Sequence, residues 1–134
     1  MALGEAMMVA GVGCRRGTSA AEIETVIAAA LARAGLARGA LDVIATAAAK
    51  SDEPGIAAAA AALGVRLVLV PQDDLKTANG RVATHSPRVL NLMGVSSVAE
   101  AAALVAGGPD ARLVVPRIAI GPATCALADS GAAP

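Results

Sequence analysis

Met8-Val-Ala-Gly-Val-Gly13 is an apolar run punctuated by glycine, Cys14-Arg-Arg-Gly-Thr18 is a short charged turn, and Ser19 to Ala34 has helical spacing. The run reads as a buried strand. Ser19 and Glu22 have the spacing of a capping box, which satisfies two of the backbone donors left free at a helix start. Ile23, Val26, Ile27, Ala30, Leu31 and Ala34 then fall on one helical face, and Gly35 stops the helix. The order is strand, turn, helix.

The pattern repeats at once. Leu41-Asp-Val-Ile-Ala45 reads as a strand and Lys50-Ser-Asp-Glu-Pro54 as a polar turn, with proline suited to a first helical turn. An Ala-rich helix runs to Leu63 and ends at Gly64, and Val65 to Val70 is a third strand before Pro71. Strands alternating with helices imply a largely parallel sheet covered on both faces. Further on, Gln72 to Ala78 suggests a short helix, Asn79-Gly80 a turn and Arg81 to Pro87 a loop. Ser97-x-x-Glu100 is a second capping box, opening a helix from Val98 to Ala106. Two or three short strands follow, Leu113 to Val115, Arg117 to Ile120 and Thr124 to Leu127, with Gly121-Pro122 turning the last pair into a hairpin. The fold class is α/β: a three-layer domain, residues 1–134, with a mostly parallel sheet, helices on both faces and a C-terminal hairpin.

With 134 residues the chain fits one core. Hydrophobic residues make up 56 %, yet Phe, Tyr and Trp are absent, so that core is built from Ala, Val, Leu, Ile and Met. Nucleic acid is not an expected partner, because base-stacking rings are missing and eleven basic residues balance eleven acidic ones. No membrane partner is expected either, since the longest apolar run, Gly55 to Val65, is half the length of a spanning helix. Met7 to Cys14 superficially suggests a lipoprotein export signal, but no basic residue precedes it and Glu5 stands in that place. A cytoplasmic location with reduced thiols is the default. Two cysteines and one histidine do not complete a zinc site, and neither a metal nor a cofactor is expected.

The turn Gly11-Val-Gly13-Cys14-Arg15-Arg16-Gly17-Thr18 is the strongest candidate site. Free N–H groups and the positive end of a helix dipole favour anions there, glycines let backbone approach a ligand, and two guanidinium forks suit carboxylate or phosphate. It is not a dinucleotide fingerprint, because the third glycine comes one residue late, and it lacks the Gly-Lys-Ser/Thr of a phosphate loop. Cys14 beside Arg15 and Arg16 has surroundings that activate a thiol; the plainer reading is a small residue packed under the turn. Cys125 belongs to the core.

Lys50, Asp52 and Glu53 occupy the equivalent second turn and stand beside the first if the two strands are neighbours. There they can hold a ligand and manage a proton, or simply cap a helix. Ser96 and Ser97 are placed to aim hydroxyl and N–H groups at an oxyanion, although capping alone accounts for Ser97. His85, in Thr84-His-Ser-Pro87, is the one side chain of ordinary neutral pKa.

Taken together, Val9-Ala-Gly-Val-Gly-Cys-Arg-Arg-Gly-Thr18, the Leu41-to-Glu53 unit, Asp74-Leu75, Ser86, Gly94-Val-Ser-Ser-Val-Ala-Glu-Ala-Ala-Ala-Leu104 and Thr124-Cys-Ala-Leu-Ala128 resemble the CobE/CbiG C-terminal domain family of cobalamin biosynthesis. The resemblance implies a three-layer α/β domain acting on corrin-ring intermediates. Members with a longer N-terminal region open a ring-A δ-lactone and release acetaldehyde. This chain resembles the stand-alone branch of the aerobic route, for which the family implies no settled reaction. The family often carries lysine where this chain has Arg117, which keeps the charge and removes amine chemistry.

The implied partner is a polycarboxylated precorrin or corrinoid intermediate, with other cobalamin-pathway enzymes as a further class. In an enzyme, Arg15 and Arg16 would hold carboxylates, Ser96 and Ser97 would polarise a lactone carbonyl, and Glu53 or His85 would direct water. A non-catalytic corrinoid carrier needs the charged turns alone. Outside the family, a small phosphate-ligand sensor domain is the alternative.

Overall fold

The first strand, β1 (Met8–Cys14), deals its side chains alternately to two faces of a sheet. Ala10 and Val12 enter one hydrophobic core, while Val9 enters the other. The computed structural model describes residues 7–83 and 97–131, and His85, Ser86 and Ser96 lie outside them. On the Ala10 side lie α1 (Ala20–Arg33), with Ile23, Val26, Ile27, Ala30 and Leu31 buried, and α2 (Pro54–Leu63). On the Val9 side lie α3 (Gln72–Ala78) and α4 (Val98–Gly107). The result is the expected three-layer α/β arrangement.

The expected helix boundaries agree closely with the structure. Ser19 accepts the Glu22 N–H and Glu22 returns its carboxylate to the Ser19 N–H at 3.0 Å, closing the capping box. Gly64 ends α2 in the left-handed region at φ 70°, a conformation that favours glycine.

Among the described residues five strands form one sheet in the order β3-β2-β1-β5-β4, with β2 at Val43–Ala47, β3 at Arg66–Val70, β4 at Arg112–Ile120 and β5 at Ala123–Asp129. β1, β2 and β3 are parallel, whereas β5 runs antiparallel to both β1 and β4. The C-terminal hairpin is therefore present, and its second strand is seated directly beside the first strand of the chain. Of the two or three short strands expected here the structure has two, because Leu113 to Val115 and Arg117 to Ile120 belong to one strand, β4. Its register against β5 shifts between Val115 and Ile118, which gives Pro116 a place on an edge strand without a ladder hydrogen bond to donate.

A core without aromatic rings requires close approach, and α4 achieves it with Ala99, Ala101, Ala102 and Ala103, all buried. The contact is tightest over Gly11, where an added Cβ would stand 1.8 Å from the Ala99 carbonyl oxygen. Gly11, expected in the ligand turn, thus lies under a helix and serves packing. Among the described residues no helix is long and apolar enough to cross a membrane.

Candidate functional site

Beyond β1 the chain turns sharply. Thr18 closes the turn twice on the Arg15 carbonyl, through its N–H at 3.2 Å and its hydroxyl at 2.6 Å. Gly17 has φ +81°, so the turn needs glycine there. The Arg15 N–H donates to the Pro122 carbonyl at 3.0 Å, which fastens the turn to the loop between β4 and β5.

The second turn is locked to the first. Because β1 and β2 are adjacent, Glu53 reaches across and its Oε1 accepts the Gly17 N–H at 2.9 Å. Glu53 is 7 % exposed. Gly55, on the first turn of α2, abuts the Thr18 carbonyl, and a Cβ there would stand 2.1 Å from that oxygen. Gly55 carries no signal in the sequence, since nothing local marks a glycine whose neighbour lies 37 residues away in the adjoining turn.

Between these turns and the β4–β5 hairpin opens a cleft of about 270 Å³. Gly13, Cys14 and Arg15 form one side and Lys50 another, while Arg117 faces them from β4. Val98 from the first turn of α4 and the Gly121-Pro122 turn complete it, with Thr124, whose hydroxyl donates to the Gly13 carbonyl at 3.2 Å. Three cationic side chains therefore meet at one opening: Arg15 exposed, Lys50 and Arg117 half-buried. Among the described residues lining the cleft none is acidic. Positive charge at the carboxyl ends of β1 and β2 suits an anion with several carboxylates or phosphates. Val98 and Pro122 offer it apolar contact.

Burial pushes the Cys14 thiol above its ordinary pKa, and Glu53 adds to the rise; the Lys50 ammonium and the Thr18 hydroxyl oppose it. The group is a neutral thiol at neutral pH, which favours the plainer of its two readings. Cys125, buried in β5, is pushed up to about 12 by desolvation.

Other expected site residues lie elsewhere. Arg16 and Asp52 are exposed and do not line the cleft. Ser97 is 0 % exposed and its hydroxyl accepts the Glu100 N–H at 3.3 Å, so of its two expected roles it fills that of helix cap. Glu100 departs from a simple capping box: its carboxylate oxygens accept N–H groups from Ala83 and Arg117, each at 2.8 Å. Among the described residues no group of three or more His, Cys, Asp or Glu is placed to hold a metal ion.

Residues 8–128 match the model of a family described as cobalamin synthesis G C-terminus. Protein CobE of Sinorhizobium sp. is 40 % identical over 121 residues, covering 90 % of this chain and 79 % of that protein. The crystal structure of CobE, a protein from the cobalamin (vitamin B12) biosynthetic pathway, matches with a TM-score of 0.90 at 32 % identity, over 100 % of this chain and 98 % of that one. The cobalt-precorrin-5A hydrolase of Priestia megaterium is 34 % identical over 104 residues, covering 78 % of this chain and 27 % of that protein. The chain belongs to the cobalamin synthesis G C-terminal family, the CobE/CbiG group of cobalamin biosynthesis proteins.

Proposed function

We propose that this protein binds a polycarboxylated precorrin or corrinoid intermediate at the cleft between the β1–α1 turn and the β4–β5 hairpin, and hands it to other enzymes of the pathway. The observation that carries this reading is the convergence of Arg15, Lys50 and Arg117 on one opening, with no acidic residue among the described residues that line it. Corrin acids carry several acetate and propionate arms. Arginine pairs a carboxylate through two parallel N–H groups, lysine supplies a compact charge, and Val98 and Pro122 support the aliphatic edge of the ring. Cytoplasmic residence accords with this role.

Hand-over is favoured over catalysis by the state of Glu53, whose carboxylate is buried and already engaged by the Gly17 N–H. Nor does Glu53 line the cleft, where a lactone would lie. The named activity of the Priestia megaterium relative makes hydrolysis of cobalt-precorrin-5A the reaction to test against.

Gel filtration with cobyrinic acid, followed by corrin absorbance, tests binding, and the absence of Trp and Tyr leaves the near-ultraviolet clear of protein absorbance. Co-elution is expected. Separate elution at micromolar protein, or preferential retention of ADP, would overturn the reading. Incubation with cobalt-precorrin-5A is expected to release no acetaldehyde, and stoichiometric release would replace hand-over by hydrolysis.

A further inference from the structure

We infer that Glu100 is a positioning residue for the cleft, which through the backbone of Arg117 sets the direction of that arginine toward the ligand. The inference rests on the binding reading above. Glu100 is 0 % exposed, on the same first turn of α4 as Val98 of the cleft wall. A carboxylate in such a place is costly unless several donors hold it, and its two oxygens take the Ala83 and Arg117 N–H groups.

Arg117 sits where β4 departs from regular pairing. Val115 faces Leu127 and Ile118 faces Cys125, so three residue steps on β4 span two on β5. Pro116 has no N–H, and the next N–H along the strand is the one given to Glu100. An extra residue in a strand rotates the side chains that follow, and bulges are used in this way to re-aim a side chain at a site. Here the rotation is pinned by a buried carboxylate rather than by the partner strand. The second oxygen binds Ala83, from the segment after α3, so the same group joins the helix, the edge strand and a third part of the chain. A helix cap alone needs neither contact, since Ser97 already caps α4.

The test is a double-mutant cycle in the full chain with Glu100→Gln, Arg117→Ala and the pair. Binding of cobyrinic acid and of citrate, a small tricarboxylate, is measured by equilibrium dialysis. Glu100→Gln keeps shape and removes charge, placing an amide where two donors need acceptors. Each single variant is expected to weaken binding roughly tenfold, and the double variant no more than either. A loss from Glu100→Gln that persists in full on the Arg117→Ala background would overturn the inference, as would unchanged binding. Citrate binding that obeys the cycle while cobyrinic acid fails to bind would sink the proposed function and leave Glu100 in place. Failure of both probes would sink both. If Glu100→Gln does not fold, amide exchange in the unaltered protein decides: a protected Arg117 N–H is expected, and exchange at the rate of an open edge strand would overturn the inference.

Discussion

The Glu53 carboxylate holds the Gly17 N–H at 2.9 Å, so a side chain from the second strand-to-helix turn fixes the backbone of the first. The two turns act as one unit on which Arg15 and Lys50 are mounted. Glu53→Ala is expected to lower stability by about 1–3 kcal/mol in urea denaturation, whereas Glu53→Gln, which keeps a carbonyl acceptor, stays near the unaltered protein. If Glu53 were a catalytic base the order would reverse, with Glu53→Gln abolishing product formation at full stability.

Charge at the cleft is expected to be selective by position. Arg15→Ala, Lys50→Ala and Arg117→Ala each weaken cobyrinic acid binding by roughly tenfold, and all three together eliminate it at micromolar concentrations. Arg16→Ala, off the cleft, changes affinity less than threefold, a contrast read by equilibrium dialysis in parallel series. Equal losses from Arg15 and Arg16 would mean that bulk charge, not the cleft, attracts the ligand.

Substitution of glycine by alanine separates packing from turn chemistry. Gly11→Ala drives a methyl into the Ala99 carbonyl, and Gly55→Ala drives one into the Thr18 carbonyl. Each is expected to cost at least about 3 kcal/mol or to prevent folding. Gly39→Ala meets nothing within 4 Å and stays within about 0.5 kcal/mol by thermal or urea denaturation.

The two thiols should respond differently to pH and to alkylation. Cys125 is raised to about 12 in the fold from an ordinary 9.0, so only the unfolded chain ionises between those values. Its contribution is fully present below pH 9 and is lost as pH rises, at roughly 1.4 kcal/mol per pH unit. Cys125→Ala should therefore show a shallower alkaline decline than the unaltered protein. Cys14, raised chiefly by burial, should alkylate with iodoacetamide more slowly than a free thiol at neutral pH, and more slowly still with cobyrinic acid present.

What the sequence made legible was local. The β1–α1 unit could be read because glycine punctuation, capping spacing and helical periodicity all agree within Met8 to Ala34. Arg15 and Lys50 were reachable by the rule that ligands collect at the carboxyl ends of parallel strands, and both line the cleft. Arg117 came from the family resemblance, because no local pattern says that a residue on β4 faces a turn 100 residues earlier. The hairpin at Gly121-Pro122 was visible, but its insertion beside β1 depends on strand order, which side-chain alternation does not encode. Glu100 and Ser97 were read as a cap. Ser97 is one, while the glutamate answers to backbone donors from distant segments that sequence spacing does not reveal.

The placement of β5 also governs how the chain is made. Ala123–Asp129 pairs with Met8–Cys14 on one side and with Arg112–Ile120 on the other, so β1 waits for a strand that is synthesised long after it. Until then β1 has only half its sheet partners and Val12 lacks its cross-strand neighbour Cys125. Such wide sequence separation slows folding and prolongs the exposure of an apolar strand to aggregation during synthesis. A premature stop before residue 123 would remove a strand from the interior of the sheet, leaving a nascent chain for proteases rather than a shortened protein.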